Sequence, residues 1–323
     1  MKKFYFSLFF IFLLPSCTTP QDNDNLQIKI IENDTTICKN TEIKLESFNG
    51  LKSYVISETK IDHEGNFTLK YTANDYGVGY LMASDNKPLY VILSGENIEV
   101  IGEALSYVET IKIIKGKENQ WFEQYAKEHP KREQALSAWN YLEKIYTLDS
   151  LFSVQKTPVQ AIQKEKQRIK IEDSTYLARL PKDSYVRWFL PTRKLVSSVS
   201  TVAQYRTEEI PSTIAAFRTL DYTDQRLYKS GLFKDAIESH FWLLENSGKT
   251  LDSVFMEMKV SIDAMMVNLV KDEGKLNEVT NYLFDLFGFF FLKFCLQEIN
   301  FNKFLFFYLH IFLKNFPYLL LLY

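Results

Sequence analysis

The residues best able to do chemistry in this chain are its three cysteines and four histidines. Cys17, Cys38 and Cys295 lie far apart, with no CxxC pair among them. That spacing gives no zinc ribbon, no vicinal redox dithiol and no dense disulfide framework. A Cys38–Cys295 disulfide is open to the chain in an oxidising compartment, though nothing in the sequence favours it. His63, His129, His240 and His310 are dispersed, with no HExxH and no pair at ligand spacing, so no metal site is expected. His63 reads as a turn residue. His129 reads as a helix end before Pro130. His240, beside Phe241 and Trp242, reads as a packed side chain more readily than as a ligand. No GxSxG, P-loop or GxGxxG is present. Neither a catalytic residue nor a cofactor is therefore expected.

Cys17 has the most informative setting. Met1-Lys2-Lys3 is a short positive segment, and Phe4 to Leu14 is an apolar run too short to span a bilayer as a mature helix. Leu14-Pro15-Ser16-Cys17 follows and resembles a bacterial lipobox, with an aliphatic residue, a small residue before the cut and a cysteine after it. Pro15 is a less usual occupant of its slot. The resemblance implies that residues 1–16 are removed and that Cys17 carries the lipid, because a thiolate is the nucleophile such a transfer needs. A plain secretory signal with an incidental cysteine is the alternative. The expected partner is then a membrane, reached through lipid on Cys17, together with envelope proteins. The expected place is the bacterial cell envelope, on the periplasmic or surface face of the outer membrane. The formal net charge of −2 gives no field that would favour nucleic acid.

A second, weaker pattern is Asp followed by Ser or Thr and, in the motif it resembles, an apolar residue. It occurs at Asp34-Thr35, Asp149-Ser150, Asp173-Ser174 and Asp252-Ser253. These resemble acceptors of an envelope O-glycosylation system and mark Thr35, Ser150, Ser174 and Ser253 as candidates. Motifs this short recur by chance.

Positioning these residues falls to two kinds of element. With 323 residues, 46% hydrophobic and 24% charged, the chain can bury a substantial core in about two domains. Residues 17–25 are polar and read as a tether. From Leu26 to Gly116 a period-two alternation recurs, at Leu26–Ile30, Ile43–Ser47, Phe67–Tyr71 and Ile111–Ile113. Pro88 to Leu93 is continuously apolar and reads as a more central strand. Asn49-Gly50, His63-Glu64-Gly65-Asn66, Ser84-Asp85-Asn86 and Ser94-Gly95-Glu96-Asn97 supply turns. Short strands at this spacing predict an antiparallel β-sandwich over residues 26–116.

Helical spacing takes over at residue 117 and holds to 284. Ala135, Ala138, Trp139, Leu142, Ile145 and Tyr146 form one stripe. A Met-rich stripe runs through Leu251, Val254, Phe255, Met258, Ile262, Met265, Met266 and Leu269. Such stripes are more often core than adaptable binding faces. Thr157-Pro158 reads as a helix start, Pro130, Pro181 and Pro211 as further starts or breaks, and Ser247-Gly248 and Gly274 as helix ends. Seven or eight helices are expected, and the fold class is α+β. The four tryptophans are core in the simplest reading and a groove in the other.

The turn at Ile61 to Leu69, the strand Pro88 to Leu93 and the Gly95-to-Val100 segment resemble the N-terminal region of bacterial TlpA-like thiol-disulfide lipoproteins. In those proteins a lipobox, a β-domain and a helical segment precede a thioredoxin-like domain. The resemblance implies an envelope module, and redox chemistry housed in a Cys-x-x-Cys domain that this sequence does not contain. From about residue 285 to 323 the chain becomes a hydrophobic tail rich in Phe, Leu, Ile, Asn and Lys. That change reads as a frameshift, with a membrane hairpin as the alternative. Three functions follow: a non-catalytic envelope module, an oxidoreductase whose catalytic half is missing from this chain, or a membrane-embedded accessory protein using the tail.

Overall fold

A computed structural model describes residues 24–30, 42–83, 88–103, 105 and 108–295. Cys17, Thr35, Cys38, the signal segment and the tail beyond residue 295 lie outside the described residues. The architecture is α+β. Eight strands come first: β1 (Asp24–Ile30), β2 (Glu42–Asn49), β3 (Lys52–Lys60), β4 (Asn66–Tyr71), β5 (Gly77–Ala83), β6 (Leu89–Leu93), β7 (Ile98–Gly102) and β8 (Lys112–Lys115). Helices follow: α1 (Lys117–Leu148), α2 (Lys156–Arg179), α3 (Tyr185–Ser197), α4 (Val199–Tyr205), α5 (Ile210–Arg218), α6 (Gln225–Tyr228), α7 (Phe233–Glu245), α8 (Leu251–Leu269) and α9 (Glu273–Cys295).

The strands form two four-stranded sheets, ordered β4-β1-β7-β8 and β3-β2-β5-β6. Alternation decides which side chains meet between them. Ile43, Leu45, Leu81, Leu89, Val91 and Leu93 of one sheet bury against Phe67, Leu69, Tyr71, Ile98 and Val100 of the other. The intervening residues Lys44, Thr68 and Lys70 stay at least partly exposed, as a period-two strand requires. The turns read at Asn49-Gly50 and at residues 63–66 stand where the sequence places them.

Two strand readings are corrected. The sheets are not wholly antiparallel: β1 pairs with β7 in parallel, Leu26 opposite Ile98 and Ile28 opposite Val100. Parallel neighbours need a long crossover, and the excursion through β2 to β6 provides it. The run Leu89–Leu93 is an edge strand, not a central one. It is nevertheless covered on both sides. Leu89, Val91 and Leu93 face the other sheet, while Ile92 faces the helices, packed in one cluster with Phe122, Val186 and Phe189.

The sheets and the helices are joined by backbone as well as side chains. Val78 N donates to Lys229 O at 2.9 Å and Gly50 N donates to Tyr228 O at 3.0 Å. Gly77, at φ 151°, makes that approach feasible, since a Cβ there would lie 2.4 Å from Lys229 O. A buried cluster thus crosses the boundary read at residues 116 and 117.

The helices bury a core of their own, in which Phe217, Phe233, Ile237 and Phe241 are fully enclosed. Most of the Met-rich stripe belongs to it: Val254, Met258, Ile262, Met265, Met266 and Leu269 are buried, while Phe255 packs half-buried against them and Leu251, the first residue of α8, is exposed. The other stripe is not core. Of the residues that define it, none is buried, and Leu142 is exposed. In that half of α1 Leu136 and Asn140 are the buried side chains, because α2 and α4 back the helix on one side only.

Helix punctuation is read correctly at Pro181, Pro211 and Ser247-Gly248, and within the first turn of α2 at Thr157-Pro158. Pro130 lies inside α1, so His129 is a mid-helix residue and not a helix end. Gly274 opens α9 and does not end a helix. α9 runs past residue 285 to Cys295. Among the described residues no helix is long and apolar enough to cross a membrane.

Candidate functional site

The sheet-to-helix junction encloses a cleft of about 660 Å³. Strand turns contribute Asn74, Tyr76, Ser94 and Glu96 to its wall. The helical side contributes Glu118 and Trp121 of α1, Asp183 to Tyr185 at the start of α3, and Gln225, Arg226 and Lys229. The volume lies in the range of small-molecule sites, and mixed aromatic and polar walls at a layer junction are the usual setting for binding.

Glu118 organises this cleft. It sits in the first turn of α1, where Gly116 at φ 108° starts the helix. Its Oε2 accepts from Ser184 Oγ and from Val186 N, both at 2.9 Å. It thereby caps α3, whose own N-cap Ser184 accepts from Arg187 N at 3.2 Å. Burial pushes the Glu118 carboxyl pKa up, against the opposing pull of the Val186 and Ser184 donors. Across the cleft Lys229 Nζ donates to Tyr54 Oη at 2.9 Å, and Tyr54 Oη donates to Asp75 Oδ1 at 3.0 Å. Arg226 lies over the Trp188 ring at 4.9 Å and pairs with Asp224 at 2.7 Å.

A second constellation lies wholly among the helices. Asp173 of α2 is buried and takes His129 Nδ1 at 3.1 Å, Lys194 Nζ at 2.8 Å and Tyr125 Oη at 3.3 Å, with Arg132 Nη1 at 3.9 Å. Burial opposes its ionisation, but the His129 and Lys194 hydrogen bonds outweigh that and hold its pKa well below the usual carboxylate range. Glu133 meets Lys194 at 3.3 Å and Arg206 at 2.9 Å. His129 stacks on Tyr125 at 4.7 Å, and its Nε2 faces Glu133 Oε1 at 4.0 Å. A His–Asp pair is half of an acid–base device, but here the imidazole is aimed at a second carboxylate and not at a hydroxyl or thiol. The arrangement ties α1, α2, α3 and the start of the 206–209 turn together.

Among the described residues no group of three or more His, Cys, Asp or Glu is placed to hold a metal. His240 is buried, stacked between Phe217 at 5.1 Å and Phe241 at 5.3 Å. His63 lies in an exposed turn. The tryptophans are divided: Trp121 lines the junction cleft, Trp188 packs in the core, and Trp242 is largely exposed.

Of the glycosylation candidates, Ser150 is exposed in the α1–α2 turn and Ser253 is exposed in the first turn of α8. Ser174 is exposed in mid-α2, where its Oγ donates to Ile171 O at 2.9 Å. Glu118, Asn119, Asp173 and Lys194 were not singled out by any motif as site residues. Their partners lie 21 to 68 residues away, so no local spacing could announce them. No protein family, characterised protein or solved structure matches the chain.

Proposed function

We propose that this protein is a lipid-anchored, non-catalytic module of the bacterial cell envelope, held at the membrane by acylated Cys17. In this reading the two sheets form a β-sandwich, and sandwich and helices together resemble the front part of TlpA-like lipoproteins. The observation that carries the non-catalytic part is the engagement of the buried acids. Glu118 caps α3 and Asp173 holds three helices through His129, Tyr125, Lys194 and Arg132, so each is spent on architecture. What stays open is the junction cleft, which suits the binding of a small polar ligand and not its conversion.

Two measurements test this. Labelled palmitate should enter the wild-type chain and not Cys17→Ala; label retained in that variant refutes the anchor. The full chain should leave the rate of insulin reduction by dithiothreitol unchanged. Turnover lost in Cys38→Ser would overturn the non-catalytic reading in favour of a single-thiol enzyme.

A further inference from the structure

The α1–α2 hairpin ends in an apolar tip that no element among the described residues covers. Over seven residues it exposes Leu148 at 81%, Leu151 at 74%, Val154 at 70% and Phe152 at 38%. Tyr141, 65% exposed and seven positions before Leu148, extends the patch along the same face of α1. Isolated exposed leucines need no explanation, but a contiguous group at the end of a projecting element does.

The tip is ordered by its own polar contacts. Asp149 Oδ1 accepts from Leu151 N at 2.8 Å, and Lys156 Nζ donates to Ser153 O at 3.0 Å. Glu143 is paired with Lys166 at 2.5 Å. The apolar side chains are therefore presented by a built turn. The charge beside them is close to balance, with Asp149 and Lys156 of opposite sign and Glu143 paired with Lys166, which leaves little to specify a charged protein partner or an anionic surface.

The place of β1 in its sheet bounds where the anchor can lie. Gln27 of β1 pairs with Glu99 of β7, and Glu99 pairs with Lys115, the last residue of β8. Two strand spacings thus put Lys115, two residues before α1, about 10 Å from Gln27, the fourth residue of β1. Residues 17 to 23 separate β1 from Cys17 and reach at most about 24 Å. The hairpin accordingly springs from the anchored end of the molecule. The 32 residues of α1 span about 48 Å, so a hairpin laid along the membrane plane carries its tip to the bilayer surface.

We infer that the α1–α2 tip is a second membrane contact, with Leu148, Leu151, Phe152 and Val154 entering the acyl boundary of a lipid bilayer and fixing how the anchored body sits on it. This rests on the lipoprotein reading above. One lipid attachment site leaves the body free to pivot, and a weak apolar contact some 48 Å away would remove that freedom at little cost, because it is intramolecular with respect to the surface. The near balance of charge at the tip means that the contact should depend little on anionic lipid or on salt.

The test uses the full chain purified from membranes and reconstituted in phosphatidylcholine–phosphatidylethanolamine vesicles with a photoactivatable acyl-chain lipid. Lipid adducts mapped by mass spectrometry should concentrate on residues 141–154, at least fivefold above the polar stretch 160–168 of α2. Leu151→Asp/Val154→Asp should bring the tip to that background while leaving the melting temperature unchanged, since both side chains are exposed. Background labelling of the wild-type tip overturns the inference. So does a tip that cross-links to another protein in place of lipid, or one carrying a glycan on Ser150, which could not enter the acyl region. Palmitate incorporation is measured in the same preparation. Tip adducts without palmitate would remove the anchor and keep the contact, whereas palmitate without tip adducts would do the reverse.

Discussion

Asn119 completes the edge of a β-sheet. Ile92 N donates to Asn119 Oδ1 at 2.7 Å and Asn119 Nδ2 donates to Ile92 O at 2.8 Å, so one amide side chain on α1 stands in for a missing strand. An edge strand normally presents such groups to solvent or to another chain. Here the edge is buried under a helix, and an amide is the shortest side chain that offers both an acceptor and a donor. Asn119→Ala would leave both Ile92 groups buried without partners and should lower stability by about 2–4 kcal/mol. Asn119→Asp keeps the acceptor but turns a carboxylate toward a carbonyl, and should cost at least as much at neutral pH. Denaturant unfolding of the variants measures this, and a loss below about 0.5 kcal/mol in Asn119→Ala would mean that water replaces the amide.

Glu118 is a different kind of join, because its charge is the costly part. Its folded pKa is raised by burial, so its contribution is most favourable below the unfolded value of about 4 and declines as pH rises through the folded one. Glu118→Gln keeps an oxygen to accept from Ser184 and Val186 without the buried charge. Its stability at pH 7 should equal or exceed wild type, and the difference should close near pH 4. Glu118→Ala removes the cap and should cost about 1–3 kcal/mol at pH 7. Melting curves of the three proteins at both pH values decide it; a Gln variant as unstable as the Ala variant would show that the charge itself is needed.

What could be read before the fold was known follows from the range of the forces involved. The alternation in Ile43-Lys44-Leu45 and Phe67-Thr68-Leu69 reports burial directly, and so those strands and their inward faces were legible. The run Leu89–Leu93 reported burial equally well but not its cause: apolarity on both faces looks the same whether another strand or helix α1 covers it. Parallel pairing of Leu26 with Ile98 leaves no local trace. Pro130 misled because a proline usually breaks a helix, whereas here His129, Arg132 and Glu133 on either side of it are held by ion pairs to Asp173, Lys194 and Arg206. The stripe through Ala138 and Leu142 had helical period without a partner to bury it, which period alone cannot reveal.

Asp173 should be the most sensitive position in the helical part. Its folded pKa is depressed, so the stability it contributes is fully present above about pH 4 and is lost as pH falls through the folded value. Asp173→Asn leaves Lys194 and Arg132 without their shared buried carboxylate and should cost about 3–5 kcal/mol at pH 7. The deficit should begin to narrow below pH 4, where the unfolded chain takes up a proton that the folded carboxylate refuses, and should go on narrowing as pH falls toward the folded value. Chemical unfolding at pH 7 and at pH 2.5 follows both effects. A deficit that does not change with pH would mean that geometry, and not charge, is what Asp173 supplies.

His240 sets the acid side of the stability profile through the opposite kind of group. It is 1% exposed, neither ring nitrogen has a hydrogen-bond partner among the described residues, and burial, aided by nearby Arg218, pushes its pKa down to about 3. The unfolded chain protonates this imidazole near pH 6.5. Between those two values the unfolded state binds a proton that the folded state refuses, so stability falls as pH drops through that window, by up to about 1.4 kcal/mol per pH unit. His240→Phe keeps an aromatic ring between Phe217 and Phe241 and removes both the titration and the two unsatisfied nitrogens. At pH 7.5 the variant should match or exceed wild-type stability. At pH 5 its advantage should have grown by up to about 2 kcal/mol. Groups that titrate identically in both proteins cancel in this difference. Because phenylalanine is slightly larger, His240→Leu serves as the control for overpacking: whatever its starting stability, its pH profile should be flattened by the same amount. Unfolding curves collected from pH 7.5 to pH 5 that run parallel in all three proteins would show that the imidazole is reached by protons in the folded state.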